Sequence, residues 1–241
     1  MTSQDLGLEK VAIKAAQVKG FDWLPKENFD QLVKLLRHQG LDNHLDDKVM
    51  QQSAVELKLG KFKNIVQEVK LNNQIKLEIT SGDNTPFFAK LFHIDEEPNE
   101  YGAYNQNIIA IEDGEIIVNR IEPASSQKIE VIDYETEFGI AGNEDVTVHA
   151  WYDDIPCLVN GCCTFFGTTY KWCGAGCGSG TPVNAADTCC RTHDYCYGSF
   201  TSYPDRCACD RNLRNCLANT SDSGSTLMRS SFWLKMGAMG C

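Results

Sequence analysis

Residues 187–197 read Asp187-Thr188-Cys189-Cys190-Arg191-Thr192-His193-Asp194-Tyr195-Cys196-Tyr197, which sets three cysteines, one histidine and two aspartates in eleven residues. Wound at 3.6 residues per turn, the stretch brings Cys189, Cys196 and His193 to one side of a helix, and Cys190 and Asp194 to a neighbouring stripe. A second stretch, Cys207-Ala208-Cys209-Asp210-Arg211-Asn212-Leu213-Arg214-Asn215-Cys216-Leu217, repeats the seven-residue cysteine spacing at Cys209 and Cys216. Suppose Cys196 bridges Cys209 and Cys189 bridges Cys216. The residue numbers of each pair then add to the same total. Two antiparallel helices joined at two levels, two turns apart, give that result. The pairing sets His193 between the bridges and makes Asp210 its nearest carboxylate on the facing helix. A histidine oriented by a buried carboxylate is a general base held in one tautomer.

A disulfide framework without an active site and a zinc cluster are the competing readings. Zinc sites show paired Cys-x2-4-Cys knuckles. Here a single short loop spacing, Cys173 to Cys177, stands among Cys-Cys doublets and one Cys-x-Cys, a pattern that suits crossing disulfides.

Cysteine and charge divide the 241-residue chain in the same place. All 12 cysteines fall between Cys157 and Cys241. Residues 1–150 carry 26 Asp+Glu and 15 Lys+Arg, a net charge of −11, whereas residues 151–241 carry 7 of each. The expected layout is therefore an acidic, cysteine-free domain over 1–150 and a disulfide-rich domain over 151–241. The acidic balance argues against a nucleic-acid partner. Twelve cysteines so placed imply an oxidising, extracellular or periplasmic destination. The first twenty residues lack the apolar run of a secretory signal, so export is expected without a visible signal peptide.

The first domain reads as α+β with a small antiparallel sheet. Leu6 to Val18 is a weak amphipathic helix candidate. Glu27–Gln39 is a stronger one, with Phe29, Leu32, Leu35 and Leu36 at helical spacing and Gly40 as a stop. From about Lys61 the period becomes two, and Gln74–Thr80, Phe87–Ile94, Asn107–Glu112, Glu115–Ile121 and Lys128–Asp133 are predicted strands. Asp113-Gly114 signals a type I′ hairpin, and Ser81-Gly82-Asp83-Asn84 a turn. His38, His44, His93 and His149 are scattered and join no constellation. A linker is expected near Phe138–Asp154. Beyond it, Trp172-Cys173-Gly174-Ala175-Gly176-Cys177-Gly178-Ser179-Gly180 lets backbone carbonyls approach a ligand closely. A hard cation wants such oxygens, with Asp194 supplying a carboxylate.

From Tyr170 to Leu217 the chain resembles the secreted, calcium-dependent phospholipase A2 family, in the WCGAG loop, CCRTHDYCY and CACDRNLRNC. Cys177 and one extra loop residue depart from the family pattern. The resemblance implies a mostly α, disulfide-rich fold with two antiparallel disulfide-linked helices. His193 would be the catalytic base and Asp210 its orienting aspartate. Tyr197 would support Asp210, with Tyr203 as candidate for a second supporting tyrosine. Ca²⁺ would be held by Asp194 and the backbone carbonyls of Trp172, Gly174 and Gly176, with the Gly174 N–H facing the oxyanion. The implied bridges are Cys173–Cys190, Cys189–Cys216 and Cys196–Cys209. Cys157, Cys162, Cys163, Cys177, Cys207 and Cys241 remain, with 15 possible connectivities.

The implied activity is calcium-dependent hydrolysis of the sn-2 ester of glycerophospholipids at a membrane surface. The alternative is a catalytically silent toxin or bacteriocin-like binding module on the same fold. Residues 1–150 are expected to be a carrier, a pro-region or an inhibitor in cis that covers a cationic surface drawn from Arg191, Arg206, Arg211, Arg214 and Arg229. The apolar tail Thr226–Met236 reads either as a lipid-facing surface, with Phe165 and Phe166, or as core.

Overall fold

The computed structural model describes residues 11–45, 49–138, 152–153 and 161–241. The linker near Phe138–Asp154 falls largely outside them, and residues 1–10, His149 and Cys157 wholly. Two compact units divide the chain, one of Ala15–Val55 and Ile65–Ala141, the other of Met1–Lys14, Glu56–Asn64 and Gly142–Cys241.

In the first unit α1 (Lys26–His38) begins behind Pro25, carries Glu27 in its first turn and ends with Arg37 and His38 in its last. Those charges suit the two ends of the helix dipole. Leu32, Leu35 and Leu36 lie on one side and are buried. They share a core with Val69, Ile75, Leu77, Ile79, Phe87, Leu91 and Ile109 of the adjoining strands and with Leu71 between two of them. The helical spacing of leucines thus meets the period-two spacing of the strands on one face of a sheet.

The strands are β1 (Ala12–Ala15), β2 (Gln51–Leu59), β3 (Phe62–Lys70), β4 (Ile75–Asp83), β5 (Thr85–Ile94), β6 (Asn105–Glu112), β7 (Glu115–Pro123) and β8 (Tyr152–Asp153). Among the described residues they form an eight-stranded sheet in the order β7-β6-β5-β4-β3-β2-β1-β8. The β4–β5, β5–β6, β6–β7 and β1–β8 pairs are antiparallel. At the β6–β7 hairpin Glu112 faces Glu115, and both loop residues have positive φ, 47° at Asp113 and 84° at Gly114. The expected I′ turn needs that pair of angles. The β4–β5 hairpin closes on Asp83-Asn84, the second half of the predicted turn.

Two segments differ from their sequence pattern. Ala12–Ala15 is a strand, not part of a helix over Leu6–Val18, whose first residues lie outside the described ones. Ile13 is 1% exposed and Lys14 pairs with Glu56 at 2.9 Å, so sheet contacts override a weak helical pattern. Lys128–Asp133 alternates as expected, with Ile129 and Val131 buried, but it forms no strand. Ile129 N–H donates to the Asn73 carbonyl and Ile132 N–H to the Glu68 carboxylate, so these two amides are satisfied outside any ladder.

A short helix α2 (Tyr134–Phe138) follows β7 in the chain. In the cysteine-rich part α3 (Ala185–Ser199), α4 (Cys207–Ala218) and α5 (Ser225–Ala238) follow a two-stranded hairpin of β9 (Thr164–Phe165) and β10 (Thr168–Thr169). Asn184 caps α3 by accepting from the Asp187 N–H. Cys189–Cys216 and Cys196–Cys209 join α3 to α4 as the equal sums require, and Cys173–Cys190 ties the glycine loop to α3. Cys162–Cys177 and Cys207–Cys241 are two connections the spacing left open. Cys163 is also disulfide-bonded.

The tail Thr226–Met236 lies within α5 and is mainly core. Leu227 and Leu234 are fully buried, and Phe165 is 3% exposed. In the same unit Asn64 Nδ2 donates to the Ser230 carbonyl at 3.3 Å. A Cβ on Gly237 would crowd the Phe62 ring, so α5 and the β2–β3 tip meet closely.

Candidate active site

Helix α3 and helix α4 run side by side between two disulfides, and this fixes His193 against Asp210. His193 Nε2 lies 2.9 Å from Asp210 Oδ1. Asp210 is fully buried. Tyr197 Oη donates to Asp210 Oδ1 at 2.6 Å and Tyr203 Oη to Asp210 Oδ2 at 2.6 Å. Burial alone would push the Asp210 carboxyl up. The hydrogen bond from His193, the Lys235 charge and the two tyrosine hydroxyls more than offset it, so the group lies below the ordinary aspartate value. Both tyrosines are driven well above their ordinary range, chiefly by burial and then by their bonds to Asp210. They stay protonated donors.

An ionised carboxylate can only accept hydrogen bonds. The hydrogen between His193 and Asp210 therefore sits on Nε2, an assignment from the bonding network. That leaves Nδ1 with a lone pair. Nδ1 faces Asp194, whose Oδ1 is 3.7 Å away. The arrangement can take a proton at Nδ1 and spread the resulting charge toward Asp210.

Asp194 Oδ2 is buried and has no hydrogen-bond partner. An orphaned carboxylate oxygen is costly unless something fills it. The glycine loop runs beside it: a Cβ built on Gly178 would lie 3.6 Å from Asp194 Oδ2 and 3.4 Å from the Trp172 ring. Gly174 has φ 137°, and a side chain there would collide with the Gly161 carbonyl. Only glycine suits that close approach. Asp187, fully buried, accepts from the N–H groups of Lys171, Trp172, Cys173 and Val183, and so ties both ends of the loop to the first turn of α3.

One open carboxylate oxygen beside a glycine loop has the chemistry that a hard cation takes. Among the described residues no group of three or more His, Cys, Asp and Glu could hold a metal ion.

The structure brings together His193, Asp194, Asp210, Tyr197 and Tyr203 and sets the Trp172–Gly178 loop beside Asp194. Sequence reasoning gave Asp187 no role; its place at the start of α3, behind Asn184, was the available signal. It also missed Phe232, whose ring meets His193 edge-on at 5.1 Å, and Lys235, whose Nζ donates to Tyr197 Oη at 3.1 Å. Those two stand three apart in α5, a helical spacing visible in the tail. Of the arginines suggested for a cationic surface, Arg214 and Arg229 are buried, at 5% and 3% exposed.

The C-terminal part of the chain is similar to curated proteins named phospholipase A2. One from Xylocopa appendiculata circumvolans is 34% identical over 31% of this chain and 51% of that protein. Phospholipase A2 A2-actitoxin-Cgg2a of Condylactis gigantea is 55% identical over 17% of this chain and 32% of its own length. Basic phospholipase A2 3 of Bungarus caeruleus is 49% identical over 18% and 28%. The chain thus spans about half the length of the first relative and about a third or less of the other two. No family model matches the chain, and no solved structure matches it.

Proposed function

We propose that this chain hydrolyses the sn-2 ester of glycerophospholipids in a calcium-dependent reaction, releasing a fatty acid and a lysophospholipid. One observation carries the reading. His193 is bonded at Nε2 to an ionised, fully buried Asp210 and faces Asp194, with its unpartnered oxygen, at Nδ1. His193 Nδ1 takes the proton from a water as that water attacks the ester carbonyl. Asp210, held by Tyr197 and Tyr203, keeps the imidazole in the receiving tautomer and offsets its positive charge. The Gly174 N–H donates to the oxygen that gains charge. His193 then returns the proton to the leaving lysophospholipid oxygen. When bound by Asp194 and the carbonyls of Trp172, Gly174 and Gly176, Ca²⁺ would supply positive charge that polarises the ester and neutralises the phosphate.

Residues 151–241 are the catalytic part in this reading, with a phospholipid surface as substrate and an extracellular destination that suits the disulfides. No described helix is long and apolar enough to cross a membrane. The acidic residues 1–150 restrain lipid binding in cis. The support for that is the separation of charge between the two halves, with Arg191, Arg206 and Arg211 as the cations left at least partly accessible.

The test is product analysis after incubating the full chain with phosphatidylcholine vesicles labelled at the sn-2 acyl chain. Equimolar labelled fatty acid and lysophospholipid are expected. Release of the sn-1 chain, or of no chain at all, overturns the assignment.

A further inference from the structure

The oxygens around Asp210 present a problem of hydrogen supply. Tyr197 Oη and Tyr203 Oη each have one hydrogen, and each lies 2.6 Å from a different Asp210 oxygen. The two hydroxyls also lie 2.7 Å from one another. If either donates to the other, Asp210 loses a donor. If both donate to Asp210, two oxygen lone pairs face each other beside a carboxylate. Something must favour the second arrangement.

Lys235 does this by position. Its Nζ donates to Tyr197 Oη at 3.1 Å and lies 5.0 Å from the centroids of both the Tyr197 and Phe232 rings. An ammonium has only donors. It occupies a lone pair of Tyr197, which Tyr203 would otherwise use as an acceptor, and its charge faces the crowded oxygens. The Arg206 guanidinium, 4.5 Å over the Tyr197 ring, instead spends its Nε on the Phe200 carbonyl. Lys235 belongs to α5, outside the two bridged helices that hold the dyad.

We propose that Lys235 is a positioning residue that acts through Tyr197: it directs the Tyr197 hydroxyl hydrogen onto Asp210 and so keeps Asp210 a pure acceptor for His193 Nε2. The effect on turnover rests on the hydrolytic reading above, but the effect on the hydrogen bond does not. The bland role is packing, in which the Lys235 stem merely covers Tyr197 and Phe232.

The experiment uses the full chain and the variants Lys235→Met, Lys235→Arg, Tyr197→Phe and the Lys235→Met/Tyr197→Phe pair. The first readout is the low-field proton resonance of the His193–Asp210 hydrogen bond in NMR spectra at one fixed pH. The second is kcat and KM for sn-2 release from phosphatidylcholine vesicles. Lys235→Met, which keeps the apolar stem, is expected to move the resonance and to lower kcat about tenfold with KM little changed, the scale of one hydrogen bond to a charged group. Lys235→Arg should restore both. In the Tyr197→Phe background Lys235→Met should add nothing, because the intermediary is gone.

An unmoved resonance in folded Lys235→Met, or full additivity with Tyr197→Phe, overturns the proposal in favour of packing. Should Lys235→Met fail to fold, Lys235→Leu is read in the same way. If the wild-type chain releases no fatty acid, the hydrolytic reading fails while the resonance still decides the role of Lys235.

Discussion

In the β-sheet, Lys76 meets Glu78 at 2.8 Å and Glu68 at 3.4 Å, and Tyr134 Oη donates to Glu68 at 3.1 Å. In the cysteine-rich part, His193, Tyr197 and Tyr203 converge on Asp210, and Asp194 stands beside them. Both clusters bury charge, and both hold a carboxylate against tyrosine. They differ in what they leave open. The sheet cluster closes on itself: the Ile132 N–H adds a further donor to Glu68, and the Lys76 Nζ sits 4.7 Å over the Phe92 ring. The second cluster leaves Asp194 Oδ2 buried and without a partner. Buried ion pairs of the first kind are costly to break. An unfilled oxygen beside an oriented imidazole is a place for chemistry.

Of the residues in the two clusters, His193 should show the greatest loss of activity on substitution. His193→Gln keeps most of the side-chain volume and removes the base, so fatty-acid release should fall by about 10²–10⁴-fold. The thermal unfolding midpoint should change little. Near-normal release from a folded His193→Gln chain would put the second cluster in the same class as the first.

Lys76→Met should show the reverse pattern. It takes the Lys76 cation away from Glu68 and Glu78, and breaking such a pair costs about 3–5 kcal/mol in stability. Urea unfolding measures this, and the specific activity of the fraction still folded should be unchanged. A variant as stable as wild type would mean that the sheet cluster is not held by that pairing.

The smallest effect lies in pH. Burial pushes the Glu68 carboxyl up, and this outweighs the pull of Lys76. Its contribution to stability is therefore full below the ordinary value of 4.5 and is lost as pH rises through the folded-state value. Asp210 has the opposite sign. Its lowered value contributes stability that is present above 3.8 and lost as pH falls through the folded-state value. Glu68→Gln should therefore flatten the stability profile above pH 4.5, and Asp210→Asn should flatten it below pH 3.8. Acid and urea titrations of the two variants check this; slopes that change in the same direction would remove the contrast.

How much of this was legible in the chain depended on whether a residue's role is local. The bridged helices were readable because Cys189, Cys196, Cys209 and Cys216 repeat at a two-turn spacing, and that spacing also carries His193 to Asp210. Four of the antiparallel strands and the Asp113-Gly114 turn were readable from alternation and from the need for positive φ. Lys128–Asp133 shows the limit: its alternation is real, but whether an extended segment joins a ladder depends on partners remote in sequence, here Asn73 and Glu68. β1 was hidden for the same reason, since Glu56 and the rest of the sheet decide it. Tyr203 could be named only through family resemblance, and Lys235 and Phe232 not at all as site residues, because α5 reaches the dyad only through tertiary packing. The pairings Cys162–Cys177 and Cys207–Cys241 join a loop and a chain end, where no periodicity constrains the choice.

If calcium at the open oxygen of Asp194 serves phospholipid hydrolysis, hydrolysis depends on both the cation and that carboxylate. The most direct measurement is fatty-acid release from phosphatidylcholine vesicles by the full chain and by Asp194→Asn, each with added Ca²⁺ and with excess chelator. Release by the wild-type chain with Ca²⁺ is expected, with its loss in chelator and its recovery when Ca²⁺ is restored, and weak release by Asp194→Asn that needs far more Ca²⁺. Equal release by the wild-type chain in chelator and in Ca²⁺ would contradict it.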